Sequence, residues 1–297
     1  MLINPTDPRQ KRQQFRAALK SGKLLQFPGA YNPLVAALVT QIGFDGVYVS
    51  GGVMANNRNL PDIGLTTMTE VLESAAEIAK QTHLPTIFDA DTGFGESMNM
   101  VRTIREAEYL GLAGCHIEDQ VNPKRCGHLD NKSLVSVETM IERVNSAARA
   151  KQDANFLIIA RTDARASEGL QAAIDRAKAY VDAGAEMIFP EAMRGPEEFE
   201  AMRKALDVPL LANMTEFGKS ELLTKQQLED LGYNLVIYPV TTQRLAMHAV
   251  EHGLKTIMAE GDQKSLLDQM QTRARLYEVL GYEDYNAFDD SIYNFSL

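Results

Sequence analysis

Cys126 sits in the run Lys124-Arg125-Cys126-Gly127-His128, a short way past the acidic pair Glu118-Asp119. A thiol flanked by two permanent cations and an imidazole is placed where its thiolate would be stabilised. From the residues alone three roles stay open to Cys126: nucleophile, proton donor or incidental thiol. The second cysteine, Cys115, is one residue out of step with His116 and Glu118 on an extended run, so it should face away from them as a small buried hydrophobe. That parity, and a spacing that matches no common zinc motif, speak against a zinc site built from Cys115, His116, Cys126 and His128. His116 reads as a hydrogen-bonded structural group before it reads as a catalyst.

The run Asp89-Ala90-Asp91-Thr92-Gly93-Phe94-Gly95 offers a second chemistry. On a strand, alternation would turn Asp89 and Asp91 the same way. Two carboxylates that close repel unless a cation lies between them. Oxygen-only ligands favour a hard ion, and Mg2+ takes one or two carboxylates and keeps several waters. Glu118 on the next strand would complete an acidic cup, with Asp62 entering from the loop Leu60-Pro61-Asp62-Ile63-Gly64. The competing reading is a solvated turn with helix-capping aspartates; the nearby glycines and the acidic end of the next strand weigh against it. Arg161, Arg244 and Arg273 are the third group, since arginine grips carboxylates through a bidentate fork. In an acidic protein, cations gathered at one mouth point to an anionic substrate with several carboxylates. For Arg273, spacing alone favours a surface salt bridge.

These residues need a scaffold. Short apolar runs at 24–27, 46–50, 85–89, 114–118, 156–161, 186–190, 209–213 and 234–239 alternate with amphipathic stretches such as 69–81, 98–110, 136–151, 169–183 and 196–206. Eight strand–helix units predict a (β/α)8 barrel of the TIM type. A doubly wound open sheet is the competitor, but no Gly-x-Gly-x-x-Gly follows the first strand. Seven of the eight strand ends carry polar groups: Ser50-Gly51-Gly52, Asp89-Ala90-Asp91, His116 to Asp119, Arg161-Thr162-Asp163, Glu191, Asn213-Met214-Thr215 and Thr241 to Arg244. A barrel carries its active site on that face.

Composition narrows the class. The chain has 297 residues, 45% of them hydrophobic, enough for a sizeable core. A formal net charge of -10 argues against nucleic acid as the main partner. Two cysteines, and a first segment without a cationic region leading into an apolar core, point to a reducing, cytoplasmic setting. No apolar run approaches the roughly 20 residues a membrane span needs.

With these residues placed, the chain resembles the isocitrate lyase and phosphoenolpyruvate mutase superfamily, and within it the 2-methylisocitrate lyases. The match runs nearly end to end, through Tyr48-Val49-Ser50-Gly51-Gly52, Leu60 to Gly64, Asp89 to Gly95, His116 to Gln120, Ala160 to Ala164, Phe189 to Ala192 and Ala212 to Gly218. Lys-Arg-Cys-Gly-His is specific to the lyases; the phosphonate-forming mutases lack this cysteine. The resemblance implies a single barrel domain over 1–297 whose C-terminal helical segment is exchanged between subunits, in a homotetramer built as a dimer of dimers. It implies a Mg2+-dependent lyase that cleaves a small tricarboxylate, 2-methylisocitrate, to pyruvate and succinate in the methylcitrate cycle of propionate catabolism. Isocitrate or 2,3-dimethylmalate is the runner-up substrate. Isocitrate lyases are generally longer and carry Lys-Lys-Cys-Gly-His, so Arg125 and the short chain favour the methylated one.

Carried over by motif, Asp89 and Asp91 would hold Mg2+, aided through water by Asp62 and Glu118. Ser50, Gly51, Gly52, Cys126, Gly127, Arg161, Glu191, Asn213, Met214, Thr215, Arg244 and Arg273 would contact substrate. Cys126 would protonate the departing carbanion, with Lys124, Arg125 and His128 beside it in the catalytic set. Tyr48 is the first choice of base, provided its ordinary pKa of about 10 is lowered. The 122–129 loop, with its own glycine, is a candidate lid. A non-catalytic decayed barrel, and a mutase or hydrolase on the same fold, are the readings from other classes.

Overall fold

The computed structural model describes residues 6–129 and 132–293; residues 1–5, part of the segment read above for a leader pattern, lie outside them. The apolar runs become eight short strands: β1 Leu25–Pro28, β2 Val47–Val49, β3 Thr86–Asp89, β4 Gly114–Glu118, β5 Leu157–Thr162, β6 Met187–Pro190, β7 Leu211–Asn213 and β8 Leu235–Tyr238. All pairings are parallel, in the orders β1-β8-β7 and β2-β3-β4-β5-β6. Parallel bridges from Gly29 to Tyr48 and from Ile188 to Leu210 join the two sheets at both seams, which closes the expected barrel.

Alternation along each strand sorts side chains into two cores. Phe27, Tyr48, Ile87, Ile159, Phe189 and Ile237 fill the interior. Their neighbours Val49, Phe88, Cys115, Ile117, Ile158 and Val236 pack outward against the helices. Cys115 therefore faces the helical layer, as its parity requires. The helix Pro8–Leu19 lays Phe15 and Leu19 on the interior core. Its cations satisfy helix ends: Lys11 Nζ donates to the carbonyls of Ala79 and Thr82, and Arg12 to those of Glu108 and Leu112.

The last helix of the barrel behaves differently. The helix Thr241–Glu260 follows β8 directly, yet Gln243 is its only buried residue. Leu245, Met247, Val250, Leu254 and Met258 are each at least half exposed. Beyond it, the helix Arg273–Leu280 rests on the helix Pro33–Ile42, where Gln41 exchanges hydrogen bonds with Val279 and Arg275. Among the described residues, no helix is long and apolar enough to cross a membrane.

Candidate active site

An acidic cup forms where β2, β3 and β4 end. Gly51 and Gly52 open the helix Gly51–Asn56, which Ser50 caps through its hydroxyl. A Cβ on Gly51 would stand 2.9 Å from Asp89 Oδ2 and 3.1 Å from Asp91 Oδ1; one on Gly52 would stand 3.0 Å from Asp62 Oδ2. The two glycines thus make room for three carboxylates. Asp89 and Asp91 do converge, but not by strand parity. β3 stops at Asp89, and Asp91 turns into the left-handed region at φ 46°, its N–H donating to Asp89 Oδ1 at 2.9 Å. A non-glycine residue held there costs about 1–3 kcal/mol of strain, which the surrounding structure must offset.

Glu118 completes the cup from β4. It is fully buried, and neither of its carboxylate oxygens has a hydrogen-bond partner. Asp91 Oδ1 also lacks one by geometry, although Lys124 Nζ lies 2.9 Å away. Lys124 reaches Asp62 Oδ1 as well, at 2.5 Å. Burial is the main reason that Asp91 is pushed up to about 6 and Glu118 well above the carboxylate range. For Asp89 burial also raises the pKa, but the positive groups facing it outweigh that and hold it low. Buried oxygens without partners, beside a cradle emptied of Cβ atoms, have the donor chemistry a hard divalent cation favours. Among the described residues no three His, Cys, Asp or Glu side chains close directly on one point, so water would complete the shell.

A second half, built on β5, β6 and β7, adjoins the first. Arg161 approaches Glu118 Oε2 at 3.4 Å, Glu191 Oε2 at 3.2 Å and Asp163 Oδ2 at 2.9 Å, and it stacks on the Phe189 ring. Burial works against the charge of Glu191, but Arg161 and His128 outweigh it and hold the carboxyl below its usual range. The backbone N–H of Lys219 donates to His128 Nδ1, which leaves the proton on Nε2, 3.0 Å from Glu191 Oε1. Asn213 Nδ2 also reaches Glu191, while its Oδ1 is buried without a partner. Gly127 crosses this cluster so closely that a Cβ there would collide with Arg161 and Glu191. Asp163 and Lys132 are functional-site residues to which the sequence assigns no role: Lys132 Nζ donates to Asp163 Oδ1 at 2.7 Å and to the Gly127 carbonyl. A lysine in a polar loop carries no local sign of burial.

The expected thiolate does not materialise. Lys124 is turned to Asp62 and Asp91, and burial raises the Cys126 thiol above its ordinary pKa, the backbone N–H of His128 opposing only in part. Cys126 therefore stays protonated near neutrality. Tyr48 is likewise not lowered: burial pushes its phenol well above 10, and its OH lies 2.8 Å from His116 Nε2. Burial lowers His116 to about 4, so the ring is neutral, with Nδ1 3.6 Å from Asp89 Oδ1. His116 is thus the hydrogen-bonded group its setting suggested. Ser50 and Thr215 are buried at the strand ends. Met214 turns outward, its sulfur accepting from the Leu223 N–H, so only its backbone faces the mouth. Arg125 is held through its backbone by Gln120. Arg244 pairs with Glu216 at 2.7 Å and stacks over Phe217. Arg273 is exposed at the start of its helix; among the described residues, no hydrogen bond or ion pair brings it to this cluster.

Residues 15–258 match the model of the phosphoenolpyruvate phosphomutase family. A probable 2-methylisocitrate lyase of Corynebacterium glutamicum is 55% identical over 289 residues, covering 97% of this chain and 94% of its own. Among solved structures, 2,3-dimethylmalate lyase, described as a member of the PEP mutase/isocitrate lyase superfamily, superposes with a TM-score of 0.87 at 30% identity, covering 97% of this chain and 95% of its own. Phosphonopyruvate hydrolase, solved with oxalate and Mg2+, superposes with a TM-score of 0.85 at 32% identity, covering 93% of this chain and 97% of its own.

Proposed function

The chain belongs to the phosphoenolpyruvate phosphomutase family, and from that premise we propose that it is a lyase cleaving 2-methylisocitrate to pyruvate and succinate. The observation that carries this is a juxtaposition. An acidic cup and the ion-pair cluster around Arg161 share the Glu118–Arg161 contact, and Gly127, next to Cys126, lies against Arg161 and Glu191. A protonated thiol on the loop that crosses a buried guanidinium, beside a cation site, suits cleavage of a polycarboxylate and has no evident use in a decayed barrel. The thiol also weighs against a mutase or hydrolase. The 55% relative favours the methylated substrate over isocitrate and dimethylmalate.

Asp89 and Asp91 would hold Mg2+, with Asp62 and Glu118 acting through water. When bound, the ion acidifies the substrate hydroxyl and polarises the carbonyl that forms from it. Tyr48 would take the hydroxyl proton in its phenolate form, which the bound ion, Arg161 and Lys124 would have to favour against burial, with His116 holding the phenolic oxygen in place. The carbon–carbon bond breaks, leaving its electron pair on the succinate fragment as an enediolate, which Arg161 stabilises. Cys126 then protonates that carbon, a role suited to a thiol kept protonated by burial. Asn213, Thr215, Glu191 and the Ser50-Gly51-Gly52 backbone orient the substrate. Arg244 would have to leave Glu216, and Arg273 to approach from elsewhere, for either to join. The 122–129 loop serves as the lid.

The exposed apolar side of the helix Thr241–Glu260 supports an exchanged C-terminal segment in a homotetramer. We place the protein in the cytoplasm and in propionate catabolism. One methyl group is worth about 1–3 kcal/mol of discrimination, so kcat/KM for 2-methylisocitrate should exceed that for isocitrate about 10- to 200-fold. A higher value for isocitrate would overturn the substrate assignment.

A further inference from the structure

Lys132 has a 1% exposed side chain and stands outside every role given above. A buried ammonium costs several kcal/mol unless it is paired and hydrogen-bonded. Its Nζ donates in two directions: to Asp163 Oδ1, 2.7 Å away, and to the carbonyl of Gly127. Asp163 is itself buried beneath Arg161, accepting from its Nε at 2.9 Å and its Nη2 at 3.2 Å, while the Asp163 N–H donates to Asp119 Oδ1. Arg161 is shared among Asp163, Glu118 and Glu191, so the bond of Lys132 to Asp163 adds a second cation to that acidic cluster. The second bond of Lys132, to the neutral carbonyl of Gly127, goes beyond charge balance.

The carbonyls on either side of Cys126 are both pinned. Gln120 Nε2 holds that of Arg125 at 2.8 Å, and Lys132 holds that of Gly127. We propose that Lys132 is a positioning residue, a strut that sets the Cys126 thiol relative to Arg161 by tying the Gly127 carbonyl to the Asp163–Arg161 pair. The consequence for turnover rests on the lyase reading; the geometry of the strut does not.

Lys132→Met removes both donors at nearly constant volume. With 2-methylisocitrate, kcat should fall about 100-fold while KM moves by less than about threefold, because the loss falls on placement of the proton donor. Alkylation of Cys126 by iodoacetamide, followed by peptide mass spectrometry, should quicken about tenfold as the loop loosens; Cys115 is fully buried. Lys132→Arg should recover part of both effects. A purely structural lysine would lower Tm and leave the Cys126 alkylation rate of the folded protein unchanged. That result, or wild-type kcat in Lys132→Met, overturns the proposal. If Lys132→Met does not fold, Lys132→Gln, which keeps a donor for Asp163 but is too short to reach Gly127 as well, carries the same expectations. If the wild type does not cleave 2-methylisocitrate, the lyase reading fails alone and the alkylation rates still decide the strut.

Discussion

The residue whose chemistry changes most between sequence and fold is Cys126. Its flanking cations suggested a thiolate; in the fold Lys124 faces Asp62 and Asp91, and burial keeps the thiol protonated. Adjacency in sequence says which charges are near, not which way they turn, so this was not legible beforehand. The reversal suits a proton donor. Cys126→Ser should cut turnover by about 10²–10⁴-fold, the usual worth of a general acid, while Tm and Mg2+ binding stay as in the wild type. Near-normal turnover would remove Cys126 from the mechanism. Asp91 gives a pH signature. Raised from 3.8 to about 6, it binds its proton more tightly folded than unfolded, so the stability it contributes is present at low pH and lost as pH rises through about 6. A cation must displace that proton. Calorimetric Mg2+ affinity should weaken as pH falls through about 6, by about tenfold per unit for each proton the ion displaces, with Glu118, also raised by burial, adding to the dependence. Affinity independent of pH between 5 and 6 would refute that assignment.

At the scale of elements, the eight strands were legible because buried parallel strands are uniform apolar runs, and seven of them end in groups no core would accept. What happens just past those ends was not. Asp91, Ala192 and Phe217 follow β3, β6 and β7 in the left-handed region, where composition gives no warning of a turn. The buried link from Lys132 to Asp163 and the partly exposed one from Arg244 to Glu216 join residues far apart in the chain, and no local pattern announces them. Ser50-Gly51-Gly52 was recognised as a motif, but its physical reason is the space its missing Cβ atoms leave for Asp89, Asp91 and Asp62. Gly51→Ala should therefore weaken Mg2+ binding on the order of 10- to 100-fold, the usual effect of displacing a ligand's support. Circular dichroism should remain that of the wild type. Unchanged affinity would show that the carboxylates do not need that space.

For the whole molecule, the barrel is closed at both seams, yet the helix Thr241–Glu260 leaves its apolar residues facing away from it. Such a surface is self-consistent only when another surface covers it. Leu254→Asp should shift the protein to a smaller species in light scattering, with its secondary structure intact because Leu254 is 63% exposed in the single chain. An unchanged mass would place the subunit contact elsewhere. The most direct measurement is a product assay with 2-methylisocitrate, with and without a chelator. Equimolar pyruvate and succinate should form, cease on chelation and return with added Mg2+. No pyruvate from 2-methylisocitrate, or undiminished cleavage after chelation, would contradict the lyase and its metal.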